Sequence, residues 1–270
     1  MIKSLLKGFI FANFWLAILA ACACAQTLTT FGCFLAPEVL GLVAFATLCS
    51  YSLHWALASF DSVQLSESAR AGWTMQYRPF LGVLTLSAGV GILVSGWNLP
   101  LKTWVFLAPF ALLTGLYSLP KIPFWKFHQF NPFFIPKSLY LSIVWTSATL
   151  LFPLFSADFS GWNLPFCAYL GYRFSVIHSI CLLFDYRDRE HDQKAGTFSP
   201  IASLDKPKFV RFFCFFQLFG LTLGAICWAQ GLIGGHRLFV FGLLCLFLLI
   251  VPKKGADIWY YGGLDALLIC

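Results

Sequence analysis

The sequence predicts an all-α fold, a multi-pass transmembrane bundle of about nine helices that forms a single domain over residues 1–270. Of the 270 residues, 59% are hydrophobic and only 11% are charged, whereas about a quarter of the residues in a soluble domain are charged. Apolar runs long enough to cross roughly 30 Å of hydrocarbon recur along the chain. Backbone polar groups inside a bilayer must be paired within the protein, and helices satisfy this requirement.

The predicted spans follow one another with short connections. In chain order the apolar runs are 8–28, 35–58, 79–97, 101–119, 138–156, 162–184, 209–230 and 237–251, with a shorter ninth at 258–270. The connecting loops have at most about twenty residues, which leaves no room for a soluble domain between the spans. Most of the charge lies in three loops, 59–78, 120–137 and 185–208.

The distribution of cations predicts the orientation in the membrane, because positively charged loops resist translocation. With the N-terminus inside, Lys102 and Arg237 lie on the outer side and Arg173 lies within the sixth span. The other fifteen of the 18 Lys and Arg residues lie on the inner side: Lys3, Lys7, Arg70, Arg78, Lys121, Lys126, Lys137, Arg187, Arg189, Lys194, Lys206, Lys208, Arg211, Lys253 and Lys254. We therefore expect a protein of the cell inner membrane whose acidic loop faces the cytoplasm. The net charge of +7 then reflects topology and attraction to anionic lipid, and no nucleic-acid partner is implied.

The ten cysteines predict no disulfide framework, because they are scattered through apolar spans without paired spacing. Cys22 follows Leu19-Ala20-Ala21 after two lysines and an apolar stretch, which has the form of a bacterial lipoprotein signal. Small residues also occur where membrane helices pack closely. We interpret the stretch as part of the first span, with lipidation of Cys22 as the alternative.

The most informative segment follows the sixth span. Four of the chain's 11 acidic residues, Asp185, Asp188, Glu190 and Asp192, fall within eight positions. The three aspartates are spaced i, i+3 and i+7, so a helix that continues through them would place them within about 60° of one face. Mg²⁺ relieves the mutual repulsion of such carboxylates and leaves coordination positions for diphosphate oxygens. The alternative is a solvated loop of balanced charge at the membrane surface.

This segment resembles the second aspartate motif of the UbiA superfamily of intramembrane prenyltransferases. The family motif often reads D-x-R-D-x-E-G-D-x-x-x-G, and Asp185 to Gly196 matches it except that His191 replaces the first glycine. The stretch from Tyr117 to Lys121, Tyr-Ser-Leu-Pro-Lys, is similar to the family's YSxP segment with its basic residue. The resemblance implies a nine-helix membrane bundle and Mg²⁺-dependent transfer of a prenyl group from a prenyl diphosphate to a lipophilic acceptor.

The first aspartate motif of the family, NDxxDxxxD, is eroded in this chain. The corresponding stretch runs from Tyr51 to Asp61 at the end of the second span, and it contains one acidic residue, Asp61, and one histidine, His54. In the family each motif holds a Mg²⁺ ion on the diphosphate of the donor. The loss of one set removes several kcal/mol of charge stabilisation that acts mainly in the transition state.

The resemblance implies roles for particular residues. Asp185, Asp188 and Asp192 would hold Mg²⁺ and serve as catalytic groups, with Asp61 as the remaining carboxylate opposite them. The substrate would contact six further residues: Lys121, Tyr117, Arg187, Lys194, His54 and His178. His178 precedes Asp185 by seven positions, which places it on the same helix face about 10 Å deeper. A histidine that only hydrogen-bonds a neighbouring helix is the alternative at both His178 and His54.

Two classes of function fit these observations. The first is a prenyltransferase, and the second is a catalytically lapsed relative that binds an isoprenoid or a partner protein, which the eroded first motif favours. A phosphatidyl-transferring enzyme predicts a DGxxAR pattern, which the sequence lacks. A transporter would need broken helices or charges around a midplane site, for which only Arg173 and His178 qualify.

Overall fold

The computed structural model describes residues 2–58, 68–118, 136–194, 201, 204–250 and 257–269, and every secondary-structure element within them is helical, as predicted. The helices are α1 Ile2–Phe11, α2 Phe14–Thr30, α3 Pro37–Leu57, α4 Ala69–Gln76, α5 Arg78–Gly96, α6 Leu101–Ser118, α7 Lys137–Thr146, α8 Phe152–Ser156, α9 Leu164–Lys194, α10 Lys206–Ala229 and α11 Phe239–Ile250. The π-helical segment Ser147–Leu151 joins α7 to α8, and the 3-10 turn Gly235–Leu238 precedes α11. At the C-terminus, π-helical Trp259–Leu264 leads into 3-10 Asp265–Ile269.

Within these ranges, five stretches are long and apolar enough to cross a membrane. They are α3, α5, the span 137–156 through α7 and α8, α9 as far as Arg189, and α10. The bent pair α1 and α2 makes a sixth if it counts as one span, and shorter apolar helices lie at Leu101–Gly115 and Gly235–Leu248. The chain is thus an integral membrane protein built as a multi-pass helical bundle. A helical segment lies at each predicted apolar run, and the count of about nine spans stays a prediction.

The first predicted span, 8–28, is two helices rather than one. α1 and α2 meet at an angle of 60°. Asn13 lies at the break in a left-handed backbone conformation with φ 67°, which asparagine tolerates better than most residues. Asn13 is only 1% exposed. Hydropathy alone cannot reveal this break, because the polar residue stands among Phe11, Ala12 and Phe14.

The chain divides into two compact units. The first contains α1 to α6, residues 148–157 and the C-terminal segment that ends at Ile269. In this unit α3 packs along α5 and α2, and α2 also contacts the 3-10 segment Asp265–Ile269. Gly91 permits the close approach of α5 to α3, because a Cβ atom at this position would lie 2.6 Å from a ring carbon of Phe45.

The second unit contains α7, α9, α10 and α11, and α9 is its central helix. α9 contacts each of the other three. In the apolar part of α9, 72% of the residues are buried, against 28% in α10. Three ionisable side chains of α9 are buried inside the protein: Arg173 is 1% exposed, His178 8% and Asp185 2%. Buried groups of this kind require polar partners.

Helices α9 and α10 approach each other closely at Gly220. A Cβ atom at Gly220 would lie 2.8 Å from Cβ of Ser175 on α9 and 2.5 Å from a ring carbon of Phe241 on α11. A Cβ atom at Gly242 on α11 would have no atom within 4 Å among the described residues. These two glycines are therefore a matched pair for testing the packing.

We expect Gly220→Ala to lower the free energy of unfolding by about 1–3 kcal/mol, because the added methyl group overpacks the contact between α9 and α10. Gly242→Ala should have no such cost, because space is available and alanine favours helix. The measurement is the melting temperature of the purified protein in detergent. Equal melting temperatures for the two variants would contradict the close packing at Gly220.

Candidate active site

Helix α9 continues beyond the membrane-spanning segment and carries the acidic motif. It runs without interruption from Leu164 to Lys194. Asp185, Asp188 and Asp192 therefore belong to one helix, as the spacing predicts, and their Cα–Cβ bonds fall within about 60° around its axis. The prediction had ended the sixth apolar run at residue 184, so the polar residues that follow extend the helix.

Asp185 is the first of the three aspartates along α9, and its side chain is more buried than that of Asp188. Only 2% of its side chain is exposed, and its Oδ1 lies 3.8 Å from Nζ of Lys137, the first residue of α7. Lys137 is 23% exposed. A carboxylate in such a place needs a compensating charge, and the lysine of the neighbouring helix supplies it.

Asp188 lies one turn further along α9 and binds its neighbour Arg187. Nε of Arg187 donates to Oδ1 at 2.7 Å, and Nη2 donates to Oδ2 at 3.1 Å. This two-point contact is the strong form of the arginine–carboxylate interaction. Both side chains are partly exposed, Arg187 at 21% and Asp188 at 32%. The guanidinium also lies 5.0 Å above the ring of Phe184.

The end of α9 is braced against α10 by aromatic stacking. The ring of Tyr186 stacks on Phe209 with 4.1 Å between centroids and an interplanar angle of 5°. The guanidinium of Arg189 lies 4.2 Å from the Tyr186 ring centroid, and its Nη1 donates to the Tyr186 carbonyl at 2.8 Å. These contacts hold the beginning of the acidic part of α9 against α10.

His178 is bound to α7 through Ser142. The Ser142 hydroxyl donates to the carbonyl oxygen of Ser138, 2.5 Å away. Oγ of Ser142 also forms a hydrogen bond with Nδ1 of His178 at 2.9 Å, in which the donor is set by the tautomer of the ring. Phe174 stacks on this ring with centroids 5.5 Å apart, and Phe216 contacts it edge-on at 5.1 Å.

The donor chemistry of Asp185 and Asp188 fits a hard cation, because carboxylate oxygens are preferred ligands of Mg²⁺. Among the side chains that the structure describes, no three His, Cys, Asp or Glu groups come together to hold a metal. The third aspartate of the motif, Asp192, lies in α9 with a side chain outside the described part of the chain. Within the motif, Asp185 lies beside Lys137 and Asp188 binds Arg187.

The other predicted site residues are placed as follows. Asp61 and Lys121 lie outside the described residues. Tyr117 lies in α6 and Lys194 at the end of α9, each with an undescribed side chain. His54 lies in the last turn of α3 in the first unit, half-buried, with its ring 5.9 Å from that of Trp55. Asp185, Asp188, Arg187 and His178 all lie on α9 in the second unit.

Two groups of polar residues were not predicted as part of a site. One is Lys137. The cation distribution predicts that Lys137 lies on the same side of the membrane as the acidic motif, and this was the available signal for it. The other is a buried cluster in the first unit, the Arg70 cluster, formed by Asn13, Trp55, Arg70, Asp257 and Tyr261. A lone asparagine inside an apolar run was the available signal for it.

The Arg70 cluster holds a buried guanidinium between aromatic rings. Arg70 is 3% exposed, and its Nη2 donates to Oδ1 of Asn13 at 2.6 Å. The guanidinium carbon lies 4.1 Å from the Trp55 ring centroid and 4.2 Å from that of Tyr261. Asp257 accepts a hydrogen bond from the Arg70 backbone N–H at 3.0 Å. The cluster therefore ties the break between α1 and α2 to the end of α3 and to the C-terminal segment.

These features define a class, a multi-pass helical membrane protein with carboxylates at the end of a long buried helix. No protein-family model matches the sequence, and no curated protein matches it. Among solved structures, the chain is similar to a digeranylgeranylglyceryl phosphate synthase in membranes, with a TM-score of 0.53 and 16% identity over 100% of this chain and 97% of that one.

The chain is also similar to a UbiA homolog from Archaeoglobus fulgidus bound to GPP and Mg²⁺, with a TM-score of 0.55 and 14% identity over 96% of each chain. A UbiA homolog from the same organism bound to DMAPP and Mg²⁺ gives a TM-score of 0.53 and 13% identity over 96% of each chain. At such identities the likeness concerns the fold. The predicted resemblance to the UbiA superfamily is therefore confirmed at the level of the fold.

Proposed function

We propose that the protein is a UbiA-like membrane prenyltransferase that moves a prenyl group from a prenyl diphosphate to a lipophilic acceptor with the help of Mg²⁺. Asp185, Asp188 and Asp192 are the proposed metal ligands, and Asp61 is the remaining carboxylate of the first motif. The proposed substrate contacts are Tyr117, Lys121, Arg187, Lys194, His54 and His178.

One observation carries the proposal. In a chain with the fold of UbiA homologs that bind GPP or DMAPP with Mg²⁺, the central helix of the second unit runs unbroken through all three aspartates of the motif. The continuous helix supports a common face for these carboxylates. A loop of balanced charge, the alternative for this segment, would not require a helix there.

The reaction requires the bond between the prenyl C1 atom and the diphosphate oxygen to break. Mg²⁺, when bound, neutralises the charge that accumulates on the departing diphosphate. Arg187 and Lys194 add cations at the same end of α9, where they suit direct contacts with phosphate oxygens. Asp185 and Asp188 would position the diphosphate end of the substrate. Both lie on α9, which is held against α10 by the stacking of Tyr186 on Phe209.

The apolar part of α9 suits the prenyl chain. His178 lies seven residues before Asp185, about 10 Å along the helix, with Phe174 and Phe216 beside its ring. Aromatic faces stabilise a nearby carbocation, and they pack well against an isoprenoid. The hydrogen bond between Nδ1 and Ser142 keeps the imidazole in one orientation.

The test is a transfer assay with the purified protein in detergent. The protein is incubated with radiolabelled GPP or DMAPP, Mg²⁺ and a lipid extract as the source of acceptor, and labelled lipid products are separated by chromatography. We expect a labelled product that requires both the protein and Mg²⁺. Labelled diphosphate that binds without any product would contradict the enzymatic proposal.

A second candidate function is supported by the eroded first motif. Asp61 is the only acidic residue in the stretch where the family has several. A lapsed relative would bind a prenyl diphosphate or a partner protein without turnover. The same assay separates the two, because the binding protein retains labelled diphosphate with every acceptor tried and releases no inorganic diphosphate.

We further propose that the acidic end of α9 faces the cytoplasm, from the bias of fifteen inner to two outer cations. In a variant without native cysteines, a cysteine at Ser203 should resist an impermeant thiol reagent in intact cells and react after permeabilisation. A cysteine at His236, in the connection predicted outside, should react in intact cells. The reverse pattern would overturn the orientation.

A further inference from the structure

We propose that Lys137 is an internal counter-ion of Asp185 that competes with Mg²⁺ for this carboxylate and moves to the diphosphate when the metal binds. This inference rests on the proposed function, because it assigns Asp185 to the metal site. It goes beyond that proposal by giving a role to a residue of α7 outside the aspartate motif.

The geometry is that of an exchangeable ion pair. Nζ of Lys137 lies 3.8 Å from Oδ1 of Asp185, which is longer than the roughly 2.7–2.9 Å of a direct charge-assisted hydrogen bond. Asp185 is 2% exposed and Lys137 is 23% exposed. The carboxylate is therefore enclosed by the protein, while the lysine side chain is partly exposed and has a flexible stem on which to move.

The competition follows from the charges. The carboxylate of Asp185 is only 2% exposed, and a buried carboxylate needs a cation nearby. With Lys137 beside it, the carboxylate attracts a divalent ion less strongly, because the ammonium already neutralises part of its charge and repels the metal. A metal bound by Asp185 would displace the ammonium group of Lys137. The three N–H donors of the displaced ammonium suit the oxygens of a diphosphate.

Arg187 is held differently from Lys137. It binds Asp188 through two parallel hydrogen bonds of 2.7 and 3.1 Å, an arrangement with defined geometry on both sides. Lys208 offers a matched control for Lys137. Its Nζ lies 3.4 Å from Oδ2 of Asp205 in the same unit, and it is 63% exposed at the start of α10.

The experiment measures Mg²⁺ affinity by calorimetry in detergent, without substrate. The variants are Lys137→Gln, Lys137→Arg, Asp185→Asn, the double variant Lys137→Gln with Asp185→Asn, and Lys208→Gln. We expect Lys137→Gln to bind Mg²⁺ about tenfold more tightly than the wild type. Lys137→Arg and Lys208→Gln should remain near the wild-type value, and the double variant should match Asp185→Asn.

A second titration uses inorganic pyrophosphate in saturating Mg²⁺. Lys137→Gln should bind pyrophosphate about tenfold more weakly than the wild type does, because the variant lacks the ammonium group that contacts phosphate. Opposite changes in the two titrations cannot result from general loss of structure, which would weaken both. Lys137→Met serves as a second variant if the glutamine variant does not stay monodisperse.

The outcomes separate this inference from the proposed function. If Asp185→Asn weakens Mg²⁺ binding while Lys137→Gln leaves it unchanged or weaker, the counter-ion role is overturned and the metal site stands. If Asp185→Asn leaves Mg²⁺ binding unchanged, the assignment of Asp185 to the metal fails, and the counter-ion role fails with it. Unchanged pyrophosphate binding by Lys137→Gln overturns the transfer of the lysine to the substrate.

Discussion

Replacing Asp188 with asparagine is expected to lower the rate of prenyl transfer at least about 100-fold, with a smaller loss of affinity for the prenyl diphosphate. The substitution keeps the shape of the side chain and removes one negative charge from the middle of the three-aspartate motif. It also releases Arg187, which now binds both oxygens of Asp188. The freed guanidinium offsets part of the lost binding through its own contacts with phosphate. The guanidinium cannot take over the proposed role of Asp188 as a metal ligand, so we expect the rate to fall more than the affinity.

The measurement compares initial rates and dissociation constants for labelled prenyl diphosphate. Asp205→Asn is the matched control, because Asp205 is an exposed aspartate of the same unit that caps α10 by accepting from the Lys208 N–H at 3.0 Å. Asparagine caps helices about as well as aspartate. A rate for Asp188→Asn within about threefold of the control would refute the role of Asp188, since a metal ligand contributes far more than this.

The helices and the fold family were accessible from the sequence because the signals are local. Within the described residues, each predicted apolar run contains a helical segment, since a bilayer admits few other backbone arrangements for such residues. The spacing of Asp185, Asp188 and Asp192 is readable from eight residues, and α9 is helical through them. The chemistry of the motif needed no knowledge of the remaining chain.

The partners of these residues could not be predicted in the same way, because they are set by packing between elements distant in sequence. Nothing in the aspartate motif indicates that Lys137 would lie beside Asp185, or that Ser142 would bind His178. The link between Asn13 and Arg70 joins residues 57 positions apart. The break at Asn13 was missed for another reason. The two non-helical residues at the break, Ala12 and Asn13, hardly change the mean hydropathy of the run 8–28.

Asn13→Ala is expected to destabilise the protein by about 3 kcal/mol or more, because it breaks a buried polar cluster while leaving the charge in place. Arg70 would keep its aromatic neighbours Trp55 and Tyr261 and lose the acceptor now 2.6 Å from Nη2. Ser52 would lose the Asn13 amide, now 3.3 Å from its hydroxyl. The left-handed backbone at φ 67° adds about 1 kcal/mol of strain for alanine.

The expected result is a fall in melting temperature of roughly 6–12 °C in detergent, since 1 kcal/mol corresponds to about 2–4 °C in a chain of this size. Asn13→Asp should stay within about 1 kcal/mol of the wild type, because it keeps the acceptor, gains a charge opposite Arg70 and tolerates the left-handed conformation. The exposed Asn98 provides the control, and Asn98→Ala should leave the melting temperature unchanged. If Asn13→Ala and Asn98→Ala have the same melting temperature, the hydrogen bond between Asn13 and Arg70 does not stabilise the first unit. If Asn13→Asp melts as low as Asn13→Ala, the acceptor is not what Arg70 requires.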